Sequence, residues 1–206
     1  MALYLSSAPA AEPVTTAEAK VECRITAAIT AYDDLIDRLI ASARQLYERE
    51  IRRALITQTW ILTQSGFPST RQSLFYRRIP LPRPPLQTVT SITYTDAEGN
   101  SGQSWDSSNY TVVTRSEPGF VDLGIAKSYP STHPEVAEAV VITYVAGQGA
   151  ASTNVRDDDR QAILTLVRLW FEDPDMRSSS AIPSSVQRVI NGRRCGFRFG
   201  QYGVTW

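Results

Sequence analysis

The stretch DDLIDRLIASARQLYEREIRRALITQTWILTQ, residues 33–64, decides the fold because its hydrophobic period changes partway along. Ile36, Leu39, Ile40, Ala43, Leu46, Tyr47, Ile51, Ala54 and Leu55 recur at three- and four-residue spacings, which is one stripe down a helix. Asp33 and Asp34 put negative charge where the helix macrodipole favours it. A helix over 33–55 would be on the order of 35 Å long at ~1.5 Å per residue, enough to cross a small domain. Its other face carries Asp37, Arg38, Arg44, Glu48, Arg49, Arg52 and Arg53. In a monomer that face reads as solvated surface. In an oligomer it reads as a subunit contact, with Arg44, Arg49, Arg52 and Arg53 as the interface candidates. From Thr57 the period falls to two: Thr57, Thr59, Ile61 and Thr63 oppose Gln58, Trp60, Leu62 and Gln64, and helix gives way to strand.

Upstream, Thr15 followed by Glu18 has the spacing of a capping box, so a helix is expected over 16–29. Before it, MALYLSSAPAA has no basic n-region and too short an apolar stretch for a signal peptide, and residues 1–13 are expected to be flexible. Downstream, strands are expected over 74–79, 89–95, 110–114, 120–123 and 139–145, separated by turn signals such as Glu98-Gly99-Asn100 and Glu117-Pro118-Gly119. Close turns between short strands imply a mainly antiparallel β part over 57–145. Within it, Pro80, Pro82, Pro84 and Pro85 remove ladder donors and impose a stiff, extended connector. Helix returns over 157–171 behind Asp157, Asp158 and Asp159, and a short helix over 184–190 is expected to end at Asn191-Gly192.

Composition sets bounds on function. The 206 residues carry 21 Lys+Arg against 21 Asp+Glu, a formal net charge of zero, which lacks the basic excess that generic DNA affinity needs. Hydrophobic residues at 42% suffice for a core, and no apolar run approaches the ~18 residues of a membrane span. Two cysteines, Cys23 and Cys195, and one histidine, His133, are too few soft ligands for a zinc site or a disulfide framework. Consecutive aspartates on a helix point ~100° apart, so 157–159 reads as a charged helix start rather than a cation site. VAGQGA, 145–150, lacks the Lys-Ser/Thr of a phosphate loop. No pairing of titratable residues supports catalysis, and no cofactor or metal is expected.

The C-terminal segment, 191–206, reads differently from a core. Arg193, Arg194 and Arg198 interleave with Phe197, Phe199, Tyr202 and Trp206 among glycines, with no acid. Aromatics of this kind at a chain end call for a partner surface, and these seven residues are the candidate partner-binding set. Nucleic acid and a disordered or self-packed tail are the other readings.

The ordered series VTTAEAKVECRI, DDLIDRLIASARQLYERE, RRALITQTWILT, IPLPRPPLQTVTSITYTDAEG, the strand at Tyr110, PGFVDL, VVITYVAGQG and DDDRQAILTLVRLWFED resembles the head–tail connector (adaptor) family of long-tailed phages and gene transfer agents, over about residues 14–190. The resemblance implies an α+β fold: a helical bundle body with a long central helix, a small antiparallel β-domain and an extended C-terminal tail. It implies a structural virion neck protein, made in the host cytoplasm, that forms a ring of self-copies, a dodecamer in the particle, between the portal protein and the tail or stopper protein. Such a ring extends the DNA channel, and DNA passes through its lumen without sequence-specific binding. It implies no enzyme, no cofactor and no membrane. The tail lies outside the matched portion, so its role as portal contact rests on its own composition and on the habit of adaptors to use termini as clamps. The alternative is a monomeric carbohydrate- or peptide-binding module whose aromatic strands carry the site.

Overall fold

The computed structural model describes residues 1–68, 78–177 and 182–196. The chain divides into two compact units. A helical unit is built from Pro9–Ile56 and Gln148–Cys195, and the chain between them, with Met1–Ala8, forms a β unit. The described residues thus make a mixed α+β chain of four α-helices and antiparallel sheets.

In the helical unit, α1 (Thr16–Glu22) starts at the expected capping box: the Thr15 side chain accepts from the Glu18 amide at 3.2 Å and the Glu18 carboxylate accepts from the Thr15 amide at 2.8 Å. It is shorter than the 16–29 expected. Arg24 takes a left-handed φ of 57°, and the Arg24 and Ile25 amides turn back to Val21 and Lys20, the closure glycine usually provides. The same device stops α2 (Asp33–Ile51) short of residue 55, with Arg52 at φ 58° and the Arg53 amide donating to the Glu48 carbonyl. Ala54 and Leu55 are fully buried nonetheless, in the non-helical segment between α2 and β2. Ile36, Leu39, Ile40, Ala43, Tyr47 and Ile51 of α2 form the buried stripe, and α2 packs on α3 (Asp157–Glu172) through Ile163, Leu166 and Val167. Helix α4 (Ser184–Arg193) adds Val186 and Ile190 to this core. It runs three residues past the expected end at 190, because Gly192 keeps a helical path and Arg193 has a partner inside the unit.

In the β unit, the expected flexible N-terminus is instead strand β1 (Ala2–Ser7), antiparallel to β2 (Gln58–Gln64). The main-chain ladder offered by β2 accounts for this, with Leu3 opposite Leu62 and Leu5 opposite Trp60. The remaining strands are β3 (Arg78–Pro80), β4 (Leu86–Tyr94), β5 (Gln103–Ser104), β6 (Tyr110–Val113), β7 (Phe120–Leu123) and β8 (Val140–Ala146). One sheet has the order β1-β2-β8-β4-β5 and the other β3-β7-β6. Of the strand expected over 74–79, residues 74–77 lie outside the described residues. Strand β8 alternates cleanly: Val140, Ile142, Tyr144 and Ala146 are buried, while Val141, Thr143 and Val145 are half-buried. The Tyr144 hydroxyl donates to the Pro82 carbonyl at 2.9 Å, tying the proline-rich connector to the sheet.

Candidate assembly interface

The candidate site residues fall on α2, on the end of α4 and beyond it. On α2, the helical rotation that buries Tyr47 and Ile51 also brings Arg44 and Glu48 inward, and both are buried. Arg44 donates from Nε to Glu12 Oε2 at 2.7 Å and from Nη1 to Glu48 Oε2 at 2.9 Å. Glu48 Oε1 accepts the Leu55 amide at 2.7 Å, which satisfies a backbone donor just past the helix. Burial works against the Arg44 charge, yet the hydrogen bonds and charges of Glu12 and Glu48 outweigh it and raise its pKa. Arg44 is therefore an internal strut of the helical unit and does not lie on an open face, which corrects its reading as a subunit-contact candidate. Arg49 stands at 68% side-chain exposure, 3.6 Å from Glu50. Arg52 is half-buried at the left-handed turn, and Arg53 donates from Nε to the Arg193 carbonyl at 2.7 Å.

At the start of α3 the three aspartates separate by rotation about the axis. The Asp157 side chain is 96% exposed, whereas Asp159 is wholly buried. Asp159 Oδ1 accepts from the Tyr47 hydroxyl at 2.8 Å and from Arg193 Nε at 3.0 Å; Oδ2 accepts from Arg193 Nη2 at 2.8 Å and Gln148 Nε2 at 3.0 Å. Burial by itself would raise the Asp159 carboxyl, but the hydrogen bonds from Arg193, Gln148 and Tyr47 and the Arg193 charge together hold it below the ordinary carboxylate value. Burial, with the charge of Asp159 added, pushes the Tyr47 hydroxyl up.

The two tail candidates that are described both turn inward. Arg193 forms the two-pronged pair with Asp159, and Arg194 donates to the Glu50 carbonyl at 2.9 Å and the Glu50 carboxylate at 3.2 Å. The Cys195 amide donates to the Ile51 carbonyl at 2.9 Å. Glu50 and Ile51 are the last residues of α2, whose carbonyls have no partner within the helix, so the chain end caps that helix. Phe197, Arg198, Phe199, Tyr202 and Trp206 lie outside the described residues.

Composition alone marks Arg193 and Arg194 as surface cations; the partner it misses, Asp159, has a readable signal. It sits in phase with Ala162, Ile163, Leu166, Val167 and Trp170, the buried face of α3. An acid in phase with an apolar stripe demands a buried cation or donor set.

Other exposed apolar side chains are Val21, Ile29 and Tyr32 in the helical unit and Tyr4, Leu5 and Ile125 in the β unit; Ile125 is 98% exposed. The aromatic residues of the β unit pack on one another: Phe67 stacks on Tyr129 at 5.1 Å, and Trp105 lies within 5.3 Å of Phe67, Tyr110 and Tyr129. Ring faces used in this way do not form the open platform that a sugar would stack on. Among the described residues no group of three or more His, Cys, Asp or Glu could hold a metal ion, and no helix is long and apolar enough to cross a membrane.

No protein-family model matches the chain, and no curated protein matches its sequence. Solved structures do match. A chain in the neck of an empty gene transfer agent particle, computed with C6 symmetry, is 22% identical, with 97% of this chain and 98% of that chain covered and a TM-score of 0.77. The chain shares its fold with particle components. A chain of the virion of a native gene transfer agent particle is 21% identical at the same coverage, with a TM-score of 0.75. Another, from the neck of a native particle computed with C12 symmetry, is 20% identical at the same coverage, with a TM-score of 0.65. Both units of this chain therefore fall within the shared fold.

Proposed function

We propose that this protein is a structural subunit of a virion neck, in a gene transfer agent or phage particle. Copies assemble into a ring, a dodecamer in the particle, that sits as an adaptor between the portal protein and the tail or stopper protein and extends the DNA channel. The observation that carries this reading is the fold shared over 97% of the chain with a neck chain, and the C12 symmetry of a second matching neck structure supports the twelvefold ring. The helical unit is the bundle body, with α2 as its long central helix. Arg49 on α2 and Arg52 just past its end are the ring-contact candidates, with Arg53 beside them. Phe197, Arg198, Phe199, Tyr202 and Trp206 supply the portal contact, since aromatic side chains with arginine dominate the energy of docking surfaces. The role is structural, and the zero net charge suits a channel through which every DNA sequence must slide.

The test is co-sedimentation of the purified chain with its particle's portal ring, followed by imaging of the complex. A ring of copies at one end of the portal is expected. A chain that stays in the supernatant at micromolar concentrations with an intact portal overturns the adaptor reading.

A further inference from the structure

We propose that in the assembled ring β1 of each copy leaves its own sheet and pairs with β2 of the next copy, so that neighbouring subunits are joined by exchanged strands. This rests on the reading of the protein as a ring-forming subunit. By its contacts β1 belongs to the β unit, whereas the chain from Pro9 onward belongs to the helical unit. That chain is fixed from Glu12: its carboxylate takes two bonds from Arg44, the Pro13 carbonyl accepts from Arg160 Nε at 3.3 Å, and Val14 is buried in the helical core. Between strand and anchor stand Ala8, Pro9, Ala10 and Ala11, with the three alanines exposed and Pro9 half-buried. Alanine side chains in water do little to hold a connector to one course, and Pro9 and Pro13 favour an extended one.

The hold of β1 on β2 is mostly main chain. Tyr4, Leu5, Ser6 and Ser7 are exposed, Ala2 and Leu3 are half-buried, and the ladder shifts register between Leu5 and Ser7, next to the connector. Every copy's β2 offers the same donors and acceptors, so an exchanged β1 keeps its ladder and its pairs with Leu62 and Trp60. No new complementary surface is required. In the free chain the home β2 is favoured because it is tethered. Copies held side by side raise the neighbour's β2 to a comparable local concentration. Five residue steps from Ser7 to Glu12 reach about 17 Å at full extension, which confines the exchange to a copy in direct contact. A strand given and a strand edge received are different surfaces, and contacts of that kind close into rings.

Paired cysteines report which chain supplies β1. Tyr4 stands directly opposite Ile61, and Leu3 opposite Leu62. Successive opposite pairs in an antiparallel ladder alternate between wide and close spacing, so one of the two is the close kind, with Cα atoms ~4.5 Å apart, and both spacings suit a disulfide. Tyr4→Cys with Ile61→Cys, and separately Leu3→Cys with Leu62→Cys, are assembled on purified portal in reductant and then oxidised. The parent chain, whose Cys23 and Cys195 are both buried, is the control. On a non-reducing gel the ring is expected to give covalent products of three or more chains, whereas the free variants close the bond within single chains. Single chains with the bond closed in the ring, or products that stop at two chains, overturn the inference. Tyr4→Cys with Ile61→Cys replaces no fully buried side chain and carries these outcomes by itself if the Leu62 variant unfolds. If neither wild type nor variants join the portal, the ring-forming reading fails and the exchange with it. If rings form and every bond stays within one chain, only the exchange fails.

Discussion

Replacing Asp159 with alanine is expected to be among the most damaging single changes in the helical unit. The carboxylate is wholly buried and accepts four hydrogen bonds, two from Arg193 and one each from Tyr47 and Gln148. Removing it leaves the Arg193 guanidinium, only 18% exposed, without its counter-charge and the buried Tyr47 hydroxyl without its acceptor. Breaking a buried ion pair from one side costs about 3–5 kcal/mol. Partial access of Arg193 to water favours the lower end, so a loss of about 3 kcal/mol is expected. Urea unfolding followed by helical circular dichroism at neutral pH gives the number. The double variant Asp159→Leu with Arg193→Met should recover most of the loss, since an apolar pair of similar bulk leaves no stranded charge. A loss below about 1 kcal/mol for Asp159→Ala would refute the reasoning, because it would put Asp159 in contact with water.

The same pair sets a pH dependence whose sign follows from its depressed carboxyl. Because the folded pKa lies below the unfolded value of about 4, the stabilisation is fully present above that value and is lost as pH falls through the folded pKa. Asp159→Asn should flatten that acid limb of the stability curve and leave the neutral-to-alkaline part parallel to wild type. An unchanged acid limb would assign the transition to other carboxylates.

Leu39→Ala, at a position 5% exposed on the α2 stripe, should cost ~2–5 kcal/mol in the same urea assay, and a change within about half a kcal/mol would remove Leu39 from the core. Reversing charge at Arg49 and Arg52 should lower incorporation into particles with little change in melting temperature; normal incorporation would take both off the ring interface. Arg53 is left out because its side chain supports the Arg193 carbonyl. The isolated protein should bind duplex DNA no more tightly than about micromolar at physiological salt, and a tighter complex would restore a nucleic-acid role.

How much of this is legible in the sequence depends on whether a signal is local. The α2 stripe, the capping box at Thr15 and the existence of the β2 and β8 strands are local, and the structure carries all of them; the alternation expected along β2 does not hold, because Leu62, Thr63 and Gln64 are buried in succession. Helix ends escape the sequence where Arg24 and Arg52 take left-handed conformations that sequence rules assign to glycine or asparagine. Burial of Ala54 and Leu55 is legible but points to the wrong element, since both are buried in the non-helical segment that follows the turn at Arg52. Arg44 reads as surface because its charge is local information, whereas its partner Glu12 is 32 residues away.

The site residues show the same division more sharply, and it bears on where the tail begins. By composition, 191–206 is one basic, aromatic, glycine-containing segment, which places a boundary after Ile190. By contacts, the boundary lies after Cys195, because Arg193, Arg194 and the Cys195 amide serve the helical unit. A chain cut after Ile190 would strand Asp159 without its cation and leave the Glu50 and Ile51 carbonyls without donors, so a loss of portal binding in that chain would report on folding as much as on docking. A cut after Gly196 removes none of those contacts. The arginines of this segment thus divide by place: Arg193 and Arg194 act inward on the fold that presents the segment, and beyond them Arg198 is left, under the proposed function, to meet the portal.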